Sequence, residues 1–369
     1  MDASKRGITV VVGGQFGGEG KGKVTAHLCR NYGYDAAVRC GGPNSGHTVT
    51  IGNEQVILRQ TPAGIVNPDT KLFLSAGCLI DLNVLSREIE LFNLTPDSLG
   101  IDRNAVIIEK EDIEEETRGE LKDRIGSTCT GVGAAVAKRI LRRGNITLAK
   151  DSVELESFVS DVSQEIMALY ESGRKIVIEG TQGFGLSVYH TPYYPYATSR
   201  DTTASAFLSE VGVSPLVVSE VIMVIRTFPI RVGGNSGPLP EEVNWETIQL
   251  QSGYPYKVEE YTSVTKRLRR VGRFDLEIVK KAVVVNNPTR AALMGVDYLD
   301  YRNKSVKNYE ALTPKAKEFI SWLEGKLDYK LDFIGTGPRD DELIDLTIEQ
   351  DDGVENEQKR LSWCGTSKR

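Results

Sequence analysis

Two lysines, Lys21 and Lys23, close the run Val11-Val12-Gly13-Gly14-Gln15-Phe16-Gly17-Gly18-Glu19-Gly20-Lys21-Gly22-Lys23. Glycine lets backbone N–H groups approach an anion without interference from Cβ, and lysine adds a point charge for phosphoryl oxygens. The preceding segment, Ile8–Val12, is β-branched and apolar except at Thr9, which predicts a buried strand emptying into a phosphate cradle. The cradle is not a Walker loop, which needs glycine where Gln15 stands and Ser or Thr where Gly22 stands. It is not a dinucleotide fingerprint either, because no acidic residue follows at ribose-binding spacing. A plain glycine-rich turn is the competing reading, but a turn alone calls for neither the lysines nor the buried strand.

Three further clusters carry chemistry. Cys40-Gly-Gly-Pro-Asn-Ser-Gly-His-Thr48 sets His47, one of only three histidines, among small flexible residues where it can face a ligand. His27, on the helix expected after the phosphate loop, reads as structural. Gln182, in Glu179-Gly-Thr-Gln-Gly183, offers both a donor and an acceptor for a purine edge or an amide-like oxygen. Lys266, Arg267, Arg269, Arg270 and Arg273 crowd Thr262–Arg273. Such a run often faces solvent or nucleic acid, but hydroxyls just ahead of the arginines in an acidic chain favour a small anionic substrate.

A chain of 369 residues with 40% hydrophobic and 26% charged residues can bury a large core as one big α/β domain or two smaller ones. A formal charge of -6 argues against general affinity for nucleic acid or an anionic membrane. Five scattered cysteines without a C-x-x-C suit a reducing cytoplasm rather than a disulfide framework or zinc site. The apolar run near the N-terminus is too short for a signal segment or membrane span, and a cytoplasmic location is expected.

Strands are expected at Ile8–Val12, Lys71–Ser75, Ala105–Ile108, Lys175–Ile178, Val221–Ile225 and Ala282–Val285. Helices are expected over Leu82–Phe92, Val132–Arg143 and Phe158–Tyr170. Alternation of the two predicts a mainly parallel sheet flanked by helices, with ligands at the carboxyl ends of its strands. The loops Cys40–Thr48, Gly126–Gly133, Glu179–Gly185, Gly233–Gly237 and Gly335–Pro338 are expected to converge there. The acidic stretch Glu109–Asp123 reads as a solvated helix face, and the polar tail after Glu349 as a frayed end.

Together these pieces resemble the adenylosuccinate synthetase family over most of the chain. The family's G-x-Q-W-G-D-E-G-K-G-K is similar to Gly13–Lys23, and N-A-G-H-T to Asn44-Ser-Gly-His-Thr48. I-G-T-T resembles Ile125-Gly-Ser-Thr128, R-R-G matches Arg142-Arg-Gly144, and E-G-A-Q-G resembles Glu179–Gly183. T-Y-P-Y-V-T-S is similar to Tyr194-Pro-Tyr-Ala-Thr-Ser199, and R-V-G-A-G-P to Arg231–Pro238 with an insertion. The resemblance implies a single large α/β domain and a two-step ligation. A nucleoside triphosphate phosphorylates O6 of a purine nucleotide, and the amine of L-aspartate then displaces phosphate.

It also implies roles. Position 18, Lys21, His47 and Gln182 are catalytic, with His47 the acid that stabilises charge at O6 and on the transferred phosphoryl group. The nucleotide substrate falls to Gly18, Glu19, Gly20, Lys21, Asn44, Ser45, Thr128, Gln182, Thr198 and Arg267, with Arg142 arriving from the partner subunit of a homodimer. The triphosphate falls to Gly17, Gly20, Lys21, Gly22, Lys23, Gly46, His47, Thr48, Arg269, Gly295, Asp297, Gly335, Thr336 and Gly337. Ser263, Val264, Thr265, Arg267 and Arg269 form the aspartate loop, while Gly46 and position 18 serve Mg²⁺.

Two departures alter the implication. IMP-using members carry aspartate where this chain has Gly18; that carboxylate takes the N1 proton and ligates Mg²⁺. Its loss opens room beside C2, where guanine carries an amino group. The same departure marks the phage-type branch, which makes N6-succino-2-amino-2'-deoxyadenylate from dGMP for diaminopurine DNA, and the chain is short, as that branch is. The implied acceptor is therefore dGMP, in a host cytoplasm if phage-encoded; the alternatives are an ordinary IMP-using synthetase and a non-catalytic nucleotide-binding protein. At the donor site the family's T-K-L-D and S-T-G-P are replaced by Met294-Gly-Val-Asp297 and Gly335-Thr-Gly-Pro338. Losing the lysine and the serine favours ATP or dATP over GTP.

Overall fold

The β-branched run Ile8–Val12 does form a central strand. In the computed structural model, which describes residues 7–348, strand β1 (Gly7–Gly13) is buried along its whole length. Ile8, Val10 and Val12 pack into one apolar cluster and Val11 into another, so both faces of the strand are covered, as a parallel sheet requires.

The sheet is completed by β2 (Ala36–Arg39), β3 (Lys71–Leu74), β4 (Leu99–Asp102), β5 (Val159–Ser160), β6 (Lys175–Glu179), β7 (Val218–Arg226), β8 (Arg290–Met294), β9 (Phe333–Gly335) and β10 (Leu343–Asp345). Its order is β10-β9-β8-β7-β1-β6-β2-β3-β4-β5, parallel throughout except for β10 against β9. The strand order turns about β1, between β6 and β7, so the loop after β1 leaves at a switch point where α/β sheets open a crevice. The mainly parallel α/β architecture expected from the alternation is the one observed.

Flanking helices include α1 (Lys21–Tyr32), α2 (Leu82–Phe92), α3 (Lys110–Arg118), α4 (Val132–Ile140), α5 (Val162–Glu171) and α6 (Leu276–Asn286). Helix α2 spans the expected residues; the Asp81 side chain caps it by accepting from the Val84 N–H at 3.2 Å. Helix α5 begins later than periodicity alone predicts. Asp161 caps it by accepting from the Gln164 N–H, and Val159–Ser160 pairs with β4 instead. Helix α4 stops at Ile140, and Arg142 takes a left-handed conformation (φ 55°).

The expected strand Ala282–Val285 is a helical stretch of α6. Its four apolar residues fit either period, and the flanks decide: Asp275 accepts from the Glu277 and Ile278 N–H groups, and Asn287 closes the helix in the left-handed region. Ile278, Val279 and Ala282 are buried while Val284 is 80% exposed, a helical alternation. Ala105–Ile108 is reduced to a two-residue strand, Val106–Ile107.

The acidic stretch is also not a wholly solvated face. Asp112 and Glu116 of α3 are buried, with Asp112 ion-paired to Lys138 of α4 at 2.7 Å. The tail after Glu349 lies outside the described residues. No helix among the described residues is long and apolar enough to cross a membrane.

Candidate active site

The carboxyl ends of β1, β2, β6, β7 and β8 open on one cleft of about 940 Å³. Parts of all five expected loops line it, from Asn44–Thr48 and Gly126–Thr128 to Gln182, Ser236 and Gly337–Pro338.

The phosphate loop is held from within. Glu19 is buried and accepts from the Gly17 N–H at 2.7 Å, the Gln15 N–H at 3.2 Å and Lys21 Nζ at 2.7 Å. Lys21 also donates to the Gln182 carbonyl, tying the loop after β1 to the loop after β6. The Glu19 carboxylate is thus turned into the loop, while the Lys21 ammonium stands at the first turn of α1, beside its free N–H groups. Lys23 is buried and donates to the carbonyls of Gly337 (2.8 Å) and Glu342 (2.7 Å), and burial draws its ammonium down to about 8. It clamps the Gly335–Pro338 loop from the cleft wall.

His47 begins the hairpin His47–Ile51/Glu54–Leu58. A Cβ on Gly22 would lie 2.6 Å from His47 Cβ, so the glycine that breaks the Walker pattern admits the histidine against the start of α1. His47 Nδ1 meets Glu179 Oε1 at 2.5 Å, and the same oxygen takes an ion pair from Arg39. All three side chains are buried; the second Glu179 oxygen accepts from the Ala63 N–H at 2.8 Å. Arg39 Nη1 also stands against His47 Nδ1; the tautomer that donates Nδ1–H to Glu179 leaves Nε2 for the cleft. Burial and then the Arg39 charge lower His47 to about 4, which favours a neutral ring at neutral pH. Burial works to raise Glu179, but His47 and Arg39 outweigh it and hold the carboxyl at about 2.

A second ionic cluster stands behind position 18. Arg226 donates to the Gly18 carbonyl at 3.1 Å and pairs with Glu260 at 2.5 Å; Arg269 approaches Glu260 at 3.6 Å. Tyr298 donates to Glu260 at 2.9 Å. Burial opposes ionisation of Glu260, yet Arg226 brings it down to about 2. Gly18 has φ +67°, and a Cβ built there would fall 2.4 Å from Arg269 Nη1 and 2.7 Å from Ile230 Cδ1. A guanidinium therefore occupies the space a side chain at position 18 would enter.

The cleft brings together Gly17, Gly18, Glu19, Gly20, Lys21, Gly22, Lys23, Asn44, Ser45, Gly46, His47, Thr48, Thr128, Gln182, Thr198, Ser263, Val264, Thr265, Arg269, Gly295, Asp297 and Gly337. Four expected residues lie off its wall. Gly335 is packed against Met294, with Sδ 2.3 Å from a built Cβ, and the buried Thr336 hydroxyl donates to the Val306 and Glu342 carbonyls. Arg267 is half-buried outside the lining, and Arg142 is exposed on the surface. His27 takes the structural place expected, with Nε2 at 2.8 Å from Asp345 Oδ2.

Other contributors escaped the sequence reading. Arg39, Glu179 and Arg226 are each the last residue of a parallel strand. A charge ending an apolar strand was their signal. Glu116 accepts from the Gly131, Gly133 and Ala134 N–H groups at 2.8, 2.5 and 3.2 Å, fixing the turn into α4 beside Thr128.

The donors do not suit a Mg²⁺ held by protein carboxylates. Among the described residues no three His, Cys, Asp or Glu side chains group around a point. The Glu19 oxygens are committed to the loop, and the Gly18 carbonyl faces Arg226.

A site of phosphate loop, buried histidine–carboxylate pair and arginine-rich wall on this sheet is that of a nucleotide-dependent enzyme. The adenylosuccinate synthetase family pattern matches residues 10–150 and 145–304. The adenylosuccinate synthetase of Archaeoglobus fulgidus is 41% identical over 346 residues, 93% of this chain and 99% of that protein. That of Methanocaldococcus jannaschii is 41% identical over 345 residues, 92% and 97% of the two chains. The chain belongs to the adenylosuccinate synthetase family, carbon–nitrogen ligases that join aspartate to a purine nucleotide with a nucleoside triphosphate. Two solved structures share the fold. Fully ligated adenylosuccinate synthetase of Plasmodium falciparum matches with a TM-score of 0.81 at 21% identity, covering 92% of this chain and 99% of that one. Succinoaminodeoxyadenylate synthetase of cyanophage S-2L, bound to dGMP and dATP as an energy donor, matches with a TM-score of 0.77 at 26% identity, covering 92% and 95%. The short length read above as a mark of the phage-type branch is shared with the archaeal relatives, so it does not separate the two.

Proposed function

We propose that this ligase takes dGMP as acceptor and ATP or dATP as donor, forming N6-succino-2-amino-2'-deoxyadenylate from L-aspartate. The observation that carries the reading is Gly18. The position holds no carboxylate to accept a proton from N1 of hypoxanthine, and a donor-only guanidinium occupies the space beside it. The room beside C2 expected from the loss of a side chain at position 18 is taken by Arg269, so the reading rests on the absent N1 base rather than on added space. The cyanophage neighbour's bound dGMP and dATP support both choices. The archaeal relatives favour the second reading, an IMP-using enzyme.

In the proposed reaction the loop amides and Lys21 hold the γ-phosphoryl group, and His47 Nε2 faces O6. The arriving phosphates oppose the effect of Arg39 and raise His47, so that its protonated Nε2 donates to the oxygen on which charge develops. Glu179 fixes the ring and stabilises the imidazolium. Ser263, Val264 and Thr265 receive aspartate, whose amine displaces phosphate from C6; Arg269, beside Gly18, faces both anionic substrates. Thr128, Gln182 and Thr198 orient the nucleotide, and Arg142 completes its phosphate site from the partner of a homodimer. The chain forms one catalytic domain in the cytoplasm.

The test is phosphate release by purified protein with L-aspartate, Mg²⁺ and ATP, comparing dGMP with IMP. Turnover with dGMP and little with IMP is expected. Preference for IMP overturns the acceptor assignment, and absence of turnover with either returns the chain to nucleotide binding without catalysis.

A further inference from the structure

Arg124 is an exposed guanidinium on the cleft wall, and its side chain has no partner among the described residues. The other cations of the wall are engaged. Lys21 pairs with Glu19, Lys23 donates to two carbonyls, and Arg226 and Arg269 share Glu260. Arg231 donates to the Tyr196 and Pro238 carbonyls, Lys257 stands 2.8 Å from Glu259, and Lys304 stands 4.0 Å from Glu342. Among the described residues, the cleft therefore keeps one arginine unengaged.

Its backbone is nonetheless held in place. Arg124 lies in the short helix Leu121–Ile125, whose last carbonyls find no acceptor role within so short a helix. Asn235 Nδ2 reaches across from the Gly233–Gly237 loop and donates to the Asp123 and Arg124 carbonyls at 3.1 and 2.9 Å. Gly126 (φ +70°) closes the helix, and a Cβ there would lie 3.3 Å from the Asn235 carbonyl, so the two backbones pass close together. The Ser127 N–H turns back to the Leu121 carbonyl at 3.2 Å, and Thr128 follows on the same wall. Arg124 thus stands at the root of a loop that brings hydroxyls to the cleft.

That loop needs a cation if it is to hold a phosphate. The Gly131, Gly133 and Ala134 N–H groups that open α4 are committed to Glu116, which adds a negative charge to the same lining. Ser127 and Thr128 supply hydroxyls without charge. An arginine fork matches phosphate oxygens bidentately and offsets the carboxylate. Arg142 lies off this wall in its own chain, whereas Arg124 is already on it. We infer that Arg124 binds the 5′-phosphate of the acceptor nucleotide, as a cation supplied by the same subunit as His47. The inference rests on the reading of this cleft as a purine nucleoside monophosphate site, and is independent of whether the base is guanine or hypoxanthine.

The experiment is calorimetric titration of the purified protein with dGMP, with IMP and with the β,γ-imido analogue of ATP, each alone. In Arg124→Ala every monophosphate that the wild type binds weakens by about tenfold, because the phosphate is common to them, while the triphosphate analogue stays within about threefold. Arg124→Lys keeps the charge without the fork and recovers part of the loss. Because the side chain is exposed, Tm of both variants stays within about 1 °C of wild type. Monophosphate affinity in Arg124→Ala within about twofold of wild type, or an equal weakening of the triphosphate analogue, overturns the inference. So does a loss for one monophosphate alone when the wild type binds both, which places Arg124 on the base or sugar. IMP bound more tightly than dGMP, with the same loss in Arg124→Ala, refutes dGMP as acceptor and leaves the phosphate assignment standing; a wild type that binds neither overturns both.

Discussion

Replacing Glu179 with glutamine removes one charge from a three-residue cluster and separates its structural from its chemical role. Arg39 is 1% exposed, and its Nε and Nη2 have no hydrogen-bond partner, so Glu179 is the anion that keeps its guanidinium inside. Breaking a buried pair by neutralising one partner costs about 3–5 kcal/mol. Unfolding entropy of roughly 2.1 cal/mol/K per residue gives about 0.8 kcal/mol/K for a chain of 369 residues, so Tm falls by about 4–6 °C. Glutamine keeps an acceptor for the Ala63 N–H but no longer stabilises a charged His47 ring, and its amide can turn N–H toward Nδ1 and reverse the tautomer. Loss of a correctly held acid–base group costs about 10²–10⁴ in kcat.

Thermal melts and phosphate release on the same preparation read the two effects separately. Glu179→Asp, which keeps the charge but withdraws it by one methylene, recovers much of the Tm with less of the kcat. Glu179→Gln melting within about 1 °C of wild type, with kcat within about threefold, would refute the assignment of Glu179 as counter-ion and His47 positioner.

Four other perturbations follow from the same geometry. Gly22→Ala puts a methyl 2.6 Å from His47 Cβ; it costs about 1–3 kcal/mol in overpacking and about 10²-fold in kcat through displacement of the ring, with substrate KM little changed. Gly18→Asp strains a left-handed residue by about 1–2 kcal/mol and sets a carboxylate beside Arg269; kcat/KM for dGMP relative to IMP falls by about 10–200-fold, and an unchanged ratio would remove position 18 from acceptor choice. Arg142→Ala, on an exposed turn, leaves Tm within about 1 °C but lowers kcat/KM for the nucleotide by about 10–100-fold, and activity returns in hybrids with a subunit inactivated at His47. Stability falls as pH drops from about 6.5 toward 4, because the unfolded chain binds a proton at His47 that the native state, with its pKa lowered to about 4, refuses; Glu179, held at about 2, adds a loss below its ordinary value of 4.5, and urea melts across this range show both.

What the sequence made legible depended on whether a residue's chemistry was declared by its neighbours along the chain. Lys21 and His47 sit in glycine-rich settings that serve no packing purpose, and both reach the cleft. Lys23 also lines the cleft, and what its setting did not declare is that its ammonium binds the carbonyls of Gly337 and Glu342, residues more than three hundred positions away. Thr336 fails for the same reason: a hydroxyl in a loop can aim at substrate or at its own scaffold, and only the tertiary fold supplies Val306 and Glu342 as acceptors. The misassigned Ala282–Val285 shows the complementary limit, since four apolar residues carry too little phase to separate periods of 2.0 and 3.6 without their caps.

Arg39, Glu179 and Arg226 point to a rule that joins these cases. In a parallel sheet covered on both faces, a charged residue can end a strand only where partners or ligand await it, because elsewhere the buried position would cost several kcal/mol. All three end strands around β1, at the switch point. Their partners come from different loops, His47 for Glu179 and Glu260 for Arg226. The two clusters flank the phosphate loop on opposite sides, one holding His47, the other holding Gly18 and Arg269. A change of side chain at position 18 therefore leaves the His47 side intact: the loop's amides are fixed by Glu19 and Lys21, and the space beside position 18 is filled by an arginine anchored through Glu260. That separation is the physical reason position 18 can carry a glycine without dismantling the histidine–carboxylate pair.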